Sequence, residues 1–253
     1  MEINLKNRLA LVTGGSGKLG RTICRTLGAC GADVIVHYRQ NRAQAQSLVA
    51  ELQTLGRRAL CVQADVTDPV SVQKMKTQVE AALGSPDILV NNAVIQYRWK
   101  TLLEQDPADY ESQFRSCVLH NVLMAQAFVP AMIRRRWGRV IGINTECAMQ
   151  NFPTQSAYVS GKRGMDGVLR VLAKEIGESQ VTVNQVAPGW MISEGSPDGD
   201  SEGERRYKAN VPLKRRGTDQ DVANLVAFLA SDLAGFISGQ YISVSGGNVM
   251  PAI

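Results

Sequence analysis

Apolar residues along this chain gather into short runs separated by longer stretches with helical spacing. Runs at 9–12, 34–38, 60–63, 88–90, 139–143, 181–186 and 241–244 read as strands. Between them the spacing predicts helices over 19–30, 41–55, 69–83, 107–136, 157–176 and 219–231, with Gly31 and Gly56 as stop signals. Strands alternating with helices predict a doubly wound α/β domain spanning 1–253. Its parallel sheet is covered on both faces, giving three layers, α/β/α, with right-handed crossovers. Ligands in such sheets bind beyond the carboxyl ends of the strands. One segment breaks the alternation, 190–217, where Gly195-Ser196-Pro197-Asp198-Gly199-Asp200 precedes a charged stretch. It follows a strand end directly, so it reads as a flap over a substrate, with a linker as the alternative.

Composition narrows the field. Apolar residues make up 44% and charged residues 20%, as in an ordinary globular protein. The net charge of +5 suits an anionic ligand, but it is not gathered into a tail or an aromatic-interleaved stripe, so nucleic acid is not expected. Arg134-Arg135-Arg136 reads as a helix end complementing its carbonyls. Five cysteines without a CxxC and only two histidines predict neither a disulfide framework nor a metal centre. No leader-like start and no apolar run long enough for a bilayer are recognised. A reduced cytoplasmic protein is the default expectation, with no membrane partner.

The chemistry concentrates at strand ends. Thr13-Gly14-Gly15-Ser16-Gly17-Lys18-Leu19-Gly20 joins the first strand to the first helix. Glycine there lets backbone approach a pyrophosphate, and the helix amino terminus offers unpaired N–H groups. Gly14, Ser16, Lys18 and Leu19 are therefore candidate cofactor contacts. The second strand ends His37-Tyr38-Arg39, without the carboxylate that would hold a ribose hydroxyl. The fork of Arg39 suits a 2′-phosphate and Lys18 adds a second cation, which favours NADP(H) over NAD(H). The alternative for either cation is a solvated surface residue. Asp65 can accept from an adenine amino group while Val66 packs on the ring, or Asp65 can cap the helix beginning near Pro69. Tyr158 and Lys162 lie four apart on one helical face. An ammonium beside a phenol favours the phenolate and so eases proton transfer.

In order along the chain stand the glycine turn, Asp65, Asn91-Asn92-Ala93, Tyr158 with Lys162, Asn184, Pro188-Gly189 and Ser245-Gly246-Gly247. This set resembles the short-chain dehydrogenase/reductase family over nearly the whole chain, most of all its 3-oxoacyl-carrier-protein reductase and sugar-alcohol dehydrogenase type. The resemblance implies a Rossmann fold and hydride transfer between NADP(H) and a carbonyl/alcohol pair. Tyr158 would be the general acid/base and Lys162 the residue that lowers its pKa and holds the nicotinamide ribose. Asn92 and Ala93 would line the cofactor cleft, and Pro188, Gly189, Met191 and Ser193 would contact the nicotinamide end. It also implies departures. Thr145 stands where the family has its catalytic serine, keeping the hydroxyl. Cys117 stands where the family has a helix asparagine, with Asn121 one turn later as a partial substitute or a surface residue. Val94, Lys18 and Ser245 replace more usual residues. Glu146 and Cys147 line or fill the pocket, and Tyr97 and Trp190 are pocket walls or simple packing.

The implied assembly is a homotetramer or homodimer through the central helices and the last strand, helped by apolar residues at 241–253. Arg136 matches a docking cation for acyl carrier protein, but the second basic position falls on Ser179, which leaves a free ketone, aldehyde or polyol equally open. A non-catalytic NADP(H)-binding protein and a pterin or quinone reductase are the alternative functions.

Overall fold

The computed structural model describes residues 2–250. Nine strands occur among the described residues: β1 (Leu9–Val12), β2 (Asp33–Tyr38), β3 (Ala59–Gln63), β4 (Ile88–Asn91), β5 (Gly138–Ile143), β6 (Val181–Pro188), β7 (Met191–Ile192), β8 (Gly217–Thr218) and β9 (Tyr241–Val244). Seven form one parallel sheet in the order β3-β2-β1-β4-β5-β6-β9. β7 and β8 pair separately. The helices are α1 (Lys18–Ala29), α2 (Arg42–Thr54), α3 (Pro69–Ala82), α4 (Pro107–Gln113), α5 (His120–Arg135), α6 (Cys147–Gln150), α7 (Ser156–Ile176), α8 (Glu202–Asn210) and α9 (Asp219–Ala230).

Successive strand residues face opposite sides, so the sheet feeds two cores. Ala10, Val12, Val34 and Val36 meet Ile23 and Leu27 of α1, Leu48 of α2, and Val222 and Val226 of α9. Leu9, Leu11 and Ile35 meet Met75 of α3, Met124 and Phe128 of α5, and Met165 and Leu169 of α7. Each such side chain contributes about 1.5–3 kcal/mol when fully buried. These layers hold the strand ends, and hence the loops beyond them, in fixed register.

The helix predicted over 107–136 is interrupted. A π-helical turn at Phe114–Leu119 separates α4 from α5. Side chains bond back to carbonyls of this turn: the Asn121 amide donates to Cys117 O at 2.6 Å, and His120 Nδ1 lies 3.1 Å from Ser116 O. Such bonds compete with the regular ladder, and widened turns of this kind gather at functional sites. Contrary to the sequence expectation, Pro107–Arg135 is long and apolar enough to cross a bilayer, with a mean hydropathy of 1.5 in its most apolar stretch. In the fold 61% of that stretch is buried, because it packs on α3, α7 and β4 as a core helix.

Candidate active site

The carboxyl ends of β3, β2, β1, β4, β5 and β6 open on one cleft of about 770 Å³. Its floor is the glycine turn. Gly14 has φ +63°, a conformation suited to glycine, and a Cβ on Gly20 would overlap the Gly14 carbonyl. The first turn of α1 carries no side-chain cap, and its residues Lys18, Leu19 and Gly20 line the cleft. Gly14, Ser16, Lys18 and Leu19 all line the cleft. Two side chains fasten this turn. The Asn92 amide donates to Thr13 O at 3.0 Å, and the Gly14 N–H donates to His37 Nδ1 at 2.9 Å. His37 Nε2 in turn lies 3.1 Å from Ala64 O, which makes it the protonated nitrogen. Sequence reasoning passed over His37; its pKa is pushed down to about 4, mainly by burial.

On the β2–β3 side, Arg39, Asp65 and Val66 line the cleft. Arg39 pairs with Asp65 at 3.1 Å. Asp65 also accepts from the Thr67 N–H and hydroxyl, and these bonds together with Arg39 hold its pKa down against burial. The cap of α3 is Asp68, which accepts from the Val70 and Ser71 N–H groups, so the capping alternative for Asp65 is set aside. Lys18 lines the same cleft as Arg39. It faces Asp219, whose pKa burial raises to about 6 against the pull of Lys18, and its amino group lies near Gly195. Asp219 lines the cleft too, at the first position of α9, and was not anticipated.

On the β4–β6 side stand Asn92, Ala93, Thr145, Tyr158, Lys162, Pro188, Gly189 and Met191. Lys162 Nζ lies 5.7 Å from the centre of the Tyr158 ring and donates to Ile143 O at 2.6 Å. The Asn144 side chain organises this corner. Its amide donates to Lys162 O and Gln185 Oε1, and its carbonyl accepts from the Thr145 N–H. Tyr97 accepts from the Tyr158 N–H at 2.8 Å, and the Trp99 ring stacks on the phenol with centroids 6.1 Å apart. Trp99 was missed because nothing in its local sequence marks a stacking partner 59 positions away.

The electrostatics depart from the simple lysine–tyrosine picture. Burial drives the Tyr158 phenol above its ordinary value, the Cys147 and Cys117 thiols push the same way, and Thr145 opposes by hydrogen bonding. Burial also pushes Lys162 down. The lowering of the phenol by Lys162 that the spacing predicts is thus opposed by the burial of both groups.

Other expectations are corrected. Ser193 does not line the cleft; its N–H and carbonyl exchange bonds with Ser196 in a tight turn about Gly195, while Glu194 pairs with Arg21. Asn121 is neither a surface residue nor a group aimed into the cleft, because its carbonyl accepts from the buried Asn91 amide at 2.7 Å. Cys117 is a buried thiol against Gln113. Trp190 turns away from the cleft to pack on Arg216 and Tyr207.

An uncapped helix start beneath a glycine turn, with a half-buried tyrosine and a buried lysine and threonine across the same cleft, defines a doubly wound α/β oxidoreductase. Comparison with known proteins agrees. A family model described as "Enoyl-(Acyl carrier protein) reductase" matches residues 16–248. The 3-oxoacyl-[acyl-carrier-protein] reductase of Staphylococcus epidermidis is 34% identical over 244 residues, covering 96% of this chain and 100% of the relative. That of Escherichia coli is 34% identical over 249 residues, covering 98% and 100%. Among solved structures, a blue fluorescent protein from a metagenomic library in complex with NADPH matches with a TM-score of 0.89 and 33% identity, covering 98% of this chain and 100% of that one. The chain belongs to the short-chain dehydrogenase/reductase family.

Proposed function

We propose that the protein is an NADP(H)-dependent oxidoreductase that interconverts a carbonyl and an alcohol. The observation that carries this is the meeting of Thr145, Tyr158 and Lys162 in the cleft that also holds the glycine turn and Arg39. The residues fit the cofactor. Gly14 and Gly20 let the turn wind closely on itself and on Asn92–Ala93, where a Cβ would collide, the start of α1 offers N–H donors, and Arg39 offers a guanidinium to a 2′-phosphate. When bound, the nicotinamide exchanges the hydride. The chain's own part is acid–base and positional. Tyr158, held protonated by burial, delivers its proton to the carbonyl oxygen during reduction and recovers it in the reverse direction. The Thr145 hydroxyl orients that oxygen, and Lys162, fixed on Ile143 O, holds the ribose side. Trp99 covers the phenol and limits water.

Consumption of NADPH against ketones, acyl thioesters, sugars, pterins and quinones tests the reading. The wild-type chain is expected to turn over at least one class. Tyr158→Phe is expected to lose turnover and keep NADPH affinity; persistence of turnover in that variant refutes the mechanism. A second reading, cofactor binding without catalysis, draws on Cys117 and the inward-turned Asn121. It predicts tight NADPH binding with no turnover across the panel.

The relatives' names point to an acyl-carrier-protein substrate. Against this, the Arg136 guanidinium is engaged with Glu178 O at 3.0 Å, and Ser179 supplies no second cation, so a free carbonyl compound is the favoured substrate. Residues 190–217 act as the flap over it. Exposed Phe114 and Val171 on the central helical layer, and Phe236 before β9, support a homo-oligomer, which light scattering measures directly. Of the apolar tail once considered for this contact, 251–253 lie outside the described residues.

A further inference from the structure

The flap has its own internal knot. Arg216 is fully buried and donates to Met191 O at 2.6 Å, Pro197 O at 3.1 Å and Glu204 Oε1 at 2.8 Å. This gathers 190–204 into one unit but does not attach it to the chemistry.

Attachment runs through Glu146, the residue after Thr145. Its side chain is buried, and both carboxylate oxygens are engaged. Oε1 accepts from the Tyr207 hydroxyl on α8 at 2.9 Å, and that hydroxyl accepts from the Trp190 N–H at 2.8 Å. Oε2 accepts from the Asn248 amide at 3.0 Å. The Glu146 N–H donates to Pro188 O at 2.9 Å. There is no slack at this junction: a Cβ on Gly189 would meet the Tyr207 hydroxyl, and would lie 3.0 Å from Glu146 Oε2. Glu146 is not among the cleft-lining residues. One carboxylate thus joins the Thr145 loop, the end of β6, the flap helix and the carboxyl-terminal segment. Burial raises the Glu146 pKa while the bonds from Asn248 and Tyr207 oppose that rise, and losing a bond to a buried acceptor strands its partner.

We propose that Glu146 is a positioning residue that latches the flap to the loop bearing Thr145, so that closing the flap and setting the Thr145 hydroxyl are a single event. The kinetic consequence rests on the oxidoreductase reading; the structural one does not.

Limited trypsinolysis of the folded full chain reads the latch, because Arg205, Arg206 and Lys208 lie on α8 and a helix is cut when it opens locally, which loss of its anchor favours. Glu146→Leu and Tyr207→Phe are each expected to speed α8 cleavage about tenfold, the effect of one lost hydrogen bond to a charged group. Glu146→Gln keeps an acceptor for Tyr207 and is expected to restore most of the protection. The Glu146→Leu/Tyr207→Phe double variant is expected to be cleaved no faster than the faster single variant, since both break one connection. With a carbonyl substrate, kcat/KM is expected to fall by a similar factor, mainly through KM, and to recover in Glu146→Gln. Wild-type cleavage rates in both single variants, multiplying effects in the double variant, or no rescue by glutamine overturn the proposal. If the wild-type chain turns over no carbonyl compound, the function fails while the cleavage experiment still decides the latch.

Discussion

His37 is the residue on which the glycine turn hangs, and it works only as a neutral ring. Its Nδ1 must accept from Gly14, so protonation breaks the bond that shapes the turn. His37 is pushed down to about 4 and His120 to about 3, chiefly by burial. Unfolded histidine titrates near ~6.5, so below that pH the unfolded chain takes up protons the folded chain refuses. The stability these rings contribute is complete above pH ~6.5 and is lost as pH falls toward their folded values. Asp219, raised to about 6, has the opposite sign: it opposes folding above that pH and is relieved as acid protonates it. The two histidine shifts outweigh the one aspartate shift. Urea midpoints are therefore expected to drop between pH 7 and 4.5, and His37→Gln is expected to flatten that decline. Parallel curves for the two proteins would mean that His37 is not held neutral. At this scale the Tyr158–Lys162 pair was legible from its local four-residue spacing, and Thr145 only through the family resemblance. Asn144, Trp99, Asp219 and His37 were not, since each acquires its role from a partner brought in by the fold from far along the chain.

Among elements, α1 shows how a helix can be built to be incomplete. Asp68 caps α3, and capping boxes at Ser201–Glu204 and Thr218–Asp221 close α8 and α9. The start of α1 has Gly17 instead, and nothing from a side chain. Stability is left on one side so that donors stay available for an anion. Gly20→Ala brings a methyl against the Gly14 carbonyl and must push the turn away from α1. NADPH titration by fluorescence is expected to show at least about tenfold weaker binding in this variant, while far-UV circular dichroism changes little. Unchanged affinity would remove the turn from the binding site. The main strands and helices could be read from periodicity. α6 was too short to carry a period, and α8 has a polar composition with no buried residue. Its capping box was a visible signal not used. The π-turn was hidden, because what opens it is side chains reaching back to the backbone.

Across the whole molecule, the order of the sheet could not be read from the chain, although its parallel, doubly covered character could. That order places β1 between a left half, β2 and β3, and a right half, β4, β5, β6 and β9. Arg39 and Asp65 belong to the first, Tyr158 and Pro188 to the second, and the cleft crosses both. Under the proposed function, Arg39 is the left-half group placed to tell the two nicotinamide dinucleotides apart. NADPH is therefore expected to raise the thermal midpoint more than NADH at equal concentration, and Arg39→Ala to erase the difference. A charge-assisted phosphate contact of about 1.5–3 kcal/mol corresponds to roughly ten- to a hundredfold in affinity. Equal stabilisation by both dinucleotides in the wild-type chain would count against the phosphate role.

The seam at β1 has a mechanical side as well. A ligand long enough to reach from Arg39 to Tyr158 rivets the amino-terminal quarter of the polypeptide to everything that follows it. Loaded protein should then melt as one piece, whereas in the empty form the edge made by β2, β3 and α2 is free to peel away first.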